Sequence, residues 1–176
     1  MQYQIVCHSP KGYAAAFAEE FRRFLPKDTL QTGTDAAPAA FVQIVCFETG
    51  SVGSNIIPPE VSSYLKQLDE HVIFLLSVVP VAVDDLLERE LLRLVVPLLP
   101  RACDFRGLSV FPCHPSEELL LNLRQRCSEA PNNSRARKWL DQCEQAVGHP
   151  NREDLDAGTR FAQHVLGVTP AVSEVS

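Results

Sequence analysis

Short apolar runs alternate along the chain with longer stretches in which apolar residues recur at helical spacing. Residues 3–7, 41–47 and 72–79 are almost continuously apolar, as expected of strands covered on both faces. Shorter runs at 28–31 and 108–111 predict two further strands. The pattern therefore predicts five strands.

The segments between these runs carry apolar residues three and four positions apart, which predicts helices with one buried face. Pro58 and Pro59 favour the start of one helix, Asp85 with Glu88 predicts a cap for the next, and Pro97 is expected to end that helix. Asn151 is expected to cap the last helix, whereas residues 136–143 predict only a turn or two. The expected inward positions are Ala14, Phe17, Phe21 and Phe24; Val61, Tyr64, Leu65 and Leu68; Leu87, Leu91, Leu94 and Val95; Leu120, Leu123 and Cys127; and Leu155, Ala162 and Leu166.

Strands that alternate with helices predict a parallel sheet, because each crossover must return the chain to the same end of the sheet. We expect a doubly wound α/β domain with a five-stranded parallel sheet and helices on both faces. Residues 1–167 are predicted to form this single domain, and 168–176 a flexible tail. In such sheets ligands bind at the carboxyl ends of the strands, which directs attention to residues 8–13, 48–57 and 77–83.

Composition and net charge argue against several classes of function. The chain has 176 residues, 45% of them hydrophobic, which suits one ordinary core. Sixteen Lys and Arg against 22 Asp and Glu give a net charge of -6, which argues against nucleic acid as a partner. The longest uncharged run, residues 72–83, is shorter than the roughly 18 residues of a membrane span. No basic segment leads into a long apolar run at the start, so a cytoplasmic protein is expected.

The loop Ser9-Pro10-Lys11-Gly12, between the first strand and the first helix, is the best candidate for a binding site. Common dinucleotide, triphosphate, hydrolase and zinc motifs are absent from the sequence. Backbone N–H groups at a helix start, a hydroxyl and the Lys11 charge suit a monophosphate. A tight turn with no ligand explains the same residues about as well.

Three segments resemble the flavodoxin family. Ser9-Pro10-Lys11-Gly12-Tyr13-Ala14 stands in the place of that family's phosphate loop. Residues 47–59 (FETGSVGSNIIPP) are similar to its second flavin loop, and residues 146–161 (AVGHPNREDLDAGTRF) are similar to its closing helix. The resemblance covers nearly the whole chain.

This resemblance implies a sheet of order 2-1-3-4-5 that holds FMN without a covalent bond. Lys11 and Ala14 stand where the family has threonines, and neither residues 48–55 of the second loop nor residues 77–83 of the third loop include an aromatic residue. Glu48 is interpreted as a solvated loop charge, and Trp139 as an anchor for the carboxyl-terminal excursion rather than a flavin wall. The expected cofactor-binding residues are Ser9, Pro10, Lys11, Gly12, Tyr13, Ala14, Thr49, Gly50, Ser51, Val52, Gly53, Val79 and Pro80.

The function implied by the resemblance is an FMN-dependent carrier of electrons between a reductase and an acceptor oxidoreductase. The flavin would supply the chemistry, so no catalytic or metal-binding residue is predicted. Two alternatives stay open. One is a cofactor-free flavodoxin-like accessory or interaction subunit of an oxidoreductase, and the other is a small NAD(P)H-dependent quinone or flavin reductase.

Overall fold

A five-stranded parallel sheet lies at the centre of the part of the chain that the structure, a computed structural model, describes: residues 1–28, 30–50 and 56–168. Its order is β2-β1-β3-β4-β5, with β1 between β2 and β3. Every residue of β3 and β4 is buried, which explains why those two apolar runs were clear in the sequence. The strands are β1 (Tyr3–His8), β2 (Leu30–Thr32), β3 (Val42–Glu48), β4 (Val72–Val79) and β5 (Asp104–Pro112).

Helices cover both faces of this sheet. They are α1 (Tyr13–Phe24), α2 (Pro59–Leu65), α3 (Asp85–Val95), α4 (Glu117–Glu129), α5 (Ser134–Gln145) and α6 (Arg152–Leu166), with a short 3-10 turn at Val96–Leu98. α1 and α6 share one core with side chains such as Ile44 and Phe74, whereas α2 and the end of α3 share another with Val45 and Leu75. The predicted α/β class with a parallel sheet and helices on both faces is confirmed.

α4 and α5 form a helical hairpin between β5 and α6. Their contact is built on a small core of Leu120, Leu123 and Cys143, with Trp139 packed against it. The prediction of only a turn or two at 136–143 was wrong. α5 is a 12-residue helix whose buried residues are Ala136 and Cys143, so too few apolar positions marked it in the sequence.

Several element boundaries also differ from the prediction. Asp84, not Asp85, caps α3, because its side chain accepts a hydrogen bond from the Leu87 N–H at 2.8 Å. Leu94 was expected to face inward but is 43% exposed. β5 begins at Asp104, before the predicted 108–111, because its early residues pair with β4 even though that end of the edge strand is not apolar.

α1 and α6 approach each other closely at Gly158. A Cβ at this position would lie 2.8 Å from two ring atoms of Phe17, a distance that real contacts do not tolerate. The absence of a side chain at Gly158 therefore sets how closely the two helices pack on the sheet.

None of the helices in the described residues combines the length and the apolar character that a membrane span needs.

Candidate functional site

The loop between β1 and α1 lies at the carboxyl end of the central strands. Gly12 is the N-cap residue of α1 and has φ +83°, a left-handed conformation that favours glycine. Its N–H donates to the carbonyl of Ser9 at 3.1 Å, which closes a tight turn. Gly12 has no side chain that could cap the helix, so the first N–H groups of α1 need acceptors from elsewhere.

Glu48, the last residue of β3, supplies those acceptors. Its carboxylate accepts hydrogen bonds from the backbone N–H groups of Lys11 at 2.9 Å, Tyr13 at 2.9 Å and Ala14 at 3.3 Å. The hydroxyl of Ser9 donates to the same carboxylate. We call these three backbone N–H groups and the Ser9 hydroxyl the amide nest.

The backbone N–H groups of the next two residues in the helix are also engaged. Ala15 donates to the Ser9 hydroxyl oxygen at 3.0 Å, and Ala16 donates to the Gly12 carbonyl at 3.3 Å. Pro10 has no N–H to offer. Every backbone N–H from Lys11 to Ala16 therefore has a protein partner, as buried N–H groups require.

Glu48 is only 7% exposed, so its interpretation as a solvated loop charge was wrong. β3 is buried along its whole length, and its last side chain lies next to the positive end of the α1 dipole. A carboxylate in that position is stabilised by charge-assisted hydrogen bonds that a solvated loop would not provide.

A cavity of about 580 Å³ opens beside the amide nest at the carboxyl ends of the strands. Segments far apart in sequence meet here, because parallel strands all end at the same edge of the sheet. Its lining residues are His8, Pro10, Lys11, Tyr13, Glu48, Thr49, Gly50, Pro58, Pro59, Val78, Pro80, Cys113, His114, Ser116, Leu119 and Trp139.

The residues expected to bind the cofactor divide into several groups. Pro10, Lys11, Tyr13, Thr49, Gly50 and Pro80 line the cavity, whereas Ser9, Gly12 and Ala14 build the loop and the helix start beneath it. Ser51, Val52 and Gly53 lie outside the described residues.

Thr49, Gly50 and Val79 also have partners within the protein. The N–H groups of Thr49 and Gly50 donate to the carbonyls of Val78 and Ile56 at 3.1 and 2.9 Å. Val79 does not line the cavity. Its side chain is 3% exposed and packs with Leu91 and Val110, because alternate residues of a strand face opposite sides of the sheet.

Trp139 lines the cavity, a position that was not predicted from the sequence. It lies on α5 and packs against the small hairpin core, as expected of an anchor, but it also lines the cavity. Together with Tyr13 it supplies the aromatic surface that residues 48–55 and 77–83 lack. Only the fold of the α4–α5 hairpin brings it there, so no local signal in the sequence could have indicated this position.

The thiols and the phenol near Glu48 are held in their protonated forms. Burial, and then the nearby Glu48 charge, raise the pKa of Cys113 to about 12, while Lys11 opposes this shift. Burial and Glu48 likewise raise the pKa of Cys7 to about 11. The pKa of Tyr13 is raised first by burial and then by Cys113 and Glu48.

Cys113 and His114 do not form a nucleophile and base pair in this geometry. His114 Nδ1 accepts the Gly148 N–H at 3.2 Å, and its Nε2 lies 3.8 Å from a Glu117 oxygen. With the pKa of Cys113 at about 12, the thiolate needed for attack is scarce at neutral pH.

The phosphate group of FMN does not fit the amide nest as it stands. A phosphate in this loop needs free N–H and hydroxyl donors, and these already bind the Glu48 carboxylate. Two anions in one nest repel each other, and a displaced carboxylate would lose four hydrogen bonds. The cavity itself is large enough for a ring-sized ligand.

Comparisons with known proteins show the fold. No protein-family model matches the chain, and no curated protein matches it either. A short-chain flavodoxin associated with a non-canonical PDU bacterial microcompartment is similar in structure, with a TM-score of 0.55 and 13% identity. That match covers 95% of this chain and 98% of the flavodoxin. A flavodoxin from Streptococcus pneumonia TIGR4 aligns at a TM-score of 0.45 and 14% identity, over 84% of this chain and 100% of its own. The chain thus has a flavodoxin-like fold.

Proposed function

We propose that this chain is a cofactor-free member of the flavodoxin-like fold that acts as an accessory or interaction subunit of an oxidoreductase. The observation that carries the proposal is the position of Glu48. Its carboxylate binds the donors that would receive the phosphate of FMN. The loop between β1 and α1 is therefore present, but the anion that it binds is a side chain of the protein.

Exposed apolar side chains support an interaction role. Leu86, Leu92 and Leu94 of α3 and Val96 of the following turn are between 37% and 63% exposed. The four residues fall within one stretch of eleven residues, 86–96. Exposed apolar side chains are often found where one protein contacts another.

The second candidate is the FMN-dependent electron carrier. The cavity of about 580 Å³ favours it, because Tyr13 and Trp139 both line a space at the carboxyl ends of the strands. On this reading Glu48 would have to leave the amide nest when FMN binds. A reductase and an acceptor enzyme would then be its partners.

Flavin binding by the purified protein distinguishes the two candidates. Trp139 is the only tryptophan and lines the cavity, so quenching of its fluorescence reports a flavin bound there. For a cofactor-free subunit we expect a colourless protein, no saturable quenching by FMN and no increase in thermal stability with FMN. Free N-acetyltryptophanamide, titrated with FMN in the same way, controls for light absorbed by free flavin. A yellow protein that holds one FMN per chain would replace our proposal with the electron carrier.

A further inference from the structure

We infer that Glu48 is a specificity-determining residue, which keeps a phosphate group out of the amide nest, so that a phosphate adds nothing to the affinity of a ligand for the cavity at the carboxyl ends of the strands. This inference rests on the same site as the proposed function and deepens it. In this inference the Glu48 carboxylate, which belongs to the chain itself, is the anion that occupies the amide nest.

All four donors of the amide nest are already occupied. Lys11, Tyr13 and Ala14 give their N–H groups to Glu48, and Ser9 gives its hydroxyl proton. The next two N–H groups of the chain bind Ser9 and Gly12. A phosphate that entered the loop would find no free backbone donor from Lys11 to Ala16.

The charge of Glu48 also disfavours a phosphate at this position. Glu48 is only 7% exposed, so its charge is poorly screened by water. Among the described residues that line the cavity, Lys11 is the only one with a permanent positive charge. One exposed ammonium does not neutralise both a buried carboxylate and a phosphate dianion.

The other walls of the cavity are formed in part by aromatic and proline side chains. Its walls include the rings of Tyr13 and Trp139 and the flat faces of Pro58, Pro59 and Pro80. Such surfaces suit an uncharged planar ring and require no anion. Glu48 therefore leaves a cavity fitted to flat ligands without a phosphate.

Riboflavin and FMN are the matched probes, because they differ only in the phosphate group. Dissociation constants of both are measured from Trp139 fluorescence for the wild type, Glu48→Ala, Glu48→Gln and a control, Glu60→Ala. Glu60 lies in the first turn of α2 and is exposed. Binding of inorganic phosphate to each protein is measured by calorimetry, and circular dichroism establishes that each variant is folded.

In the wild type and Glu60→Ala we expect FMN to bind no more tightly than riboflavin, and inorganic phosphate to give no heat of binding. In Glu48→Ala the donors of the amide nest become free. We expect FMN to bind this variant about tenfold or more tightly than riboflavin, with inorganic phosphate competing. Glu48→Gln keeps the shape and removes the charge, so it tests the inference if Glu48→Ala does not fold.

A wild type that prefers FMN to riboflavin would overturn the inference, and so would folded Glu48 variants that gain neither FMN nor phosphate. A wild type that binds neither flavin supports it if Glu48→Ala then binds phosphate. The proposed function fails separately. A wild type that binds FMN and riboflavin equally well is not cofactor-free, yet Glu48 still denies the phosphate any contribution.

Discussion

The first N–H groups of α1 and α6 both bind side-chain acceptors, but these acceptors come from different parts of the chain. α6 is capped locally, because the Asn151 side chain accepts the Asp154 N–H at 3.0 Å and Asp154 accepts the Asn151 N–H at 2.9 Å. α1 begins at Gly12, which has no side chain, and its first N–H groups bind Glu48 from the end of β3. One cap spans three residues of sequence and the other more than thirty.

The two arrangements differ in what they can do. A local capping box stabilises its helix in almost any context, because its acceptors come from the same turn. A cap that arrives from another strand links the helix to the sheet and also fills the space where a ligand could bind. The α1 terminus is therefore held to the sheet beside the cavity, and we propose that the same carboxylate also selects the ligands of that cavity.

The largest effect is expected from removing the distant cap. Glu48→Ala leaves three N–H groups and the Ser9 hydroxyl without their acceptor, and we expect it to lower the free energy of unfolding by about 3 kcal/mol. Urea denaturation at neutral pH measures this change. The exposed control Glu60→Ala should change it by less than about 0.5 kcal/mol. Equal effects of the two substitutions would mean that Glu48 does not hold α1 to β3.

A smaller effect is expected where the two helices touch. Gly158→Ala forces its new Cβ to within 2.8 Å of the Phe17 ring unless α6 shifts. The strain of overpacking costs about 3 kcal/mol at most, and the better helix propensity of alanine returns about 1. We expect a net loss of about 2 kcal/mol in urea denaturation. Ser128→Ala, on an exposed position of α4, is the control and should have little effect.

Removing the local cap is expected to cost less than removing the distant one. Asn151→Ala loses the acceptor for the Asp154 N–H at the exposed start of α6. We expect the free energy of unfolding to fall by about 1 kcal/mol, as for N-cap residues in general. Asn151→Ser keeps a capping oxygen and should retain most of the stability. A loss from Asn151→Ala that exceeds the loss from Glu48→Ala would reverse the comparison of the two helix starts.

The smallest effect concerns the ion pair that joins the two helices. Arg152, the first residue of α6, bonds both carboxylate oxygens of Glu20 in α1 at 2.9 and 3.0 Å. This hydrogen bonding to Arg152 is the main reason why the pKa of Glu20 lies below its usual 4.5.

A carboxylate with a lowered pKa in the folded state adds stability above its unfolded pKa of 4.5, and this contribution is lost as the pH falls through the folded pKa. We therefore expect Glu20→Gln to be slightly less stable than the wild type at neutral pH, and this difference to be smaller at about pH 3. Denaturation at both pH values measures the difference, with Glu19→Gln as the neighbouring control. A gap of the same size at both pH values would contradict this role for Glu20.

The comparison of the two helix starts also separates what could be predicted from what could not. Asn151 could be predicted as a cap because both residues of the capping box, Asn151 and Asp154, lie within four residues of sequence. The loop at Ser9 was identified because strand, glycine turn and helix follow one another directly. Glu48 was misjudged because its partners lie 34 to 39 residues away, and nothing near it in the sequence indicates that its side chain is buried.

The pattern of apolar residues by itself determined the α/β class, the central strands and the loops that lie at the carboxyl ends of those strands, since strand and helix periodicities are local properties. The tertiary structure alone decided that Glu48 fills the amide nest and that Trp139 of α5 forms a cavity wall. Both depend on which chain segments end at the same edge of the sheet. That edge is assembled from residues distant in sequence, so its chemistry is fixed by packing rather than by any local pattern.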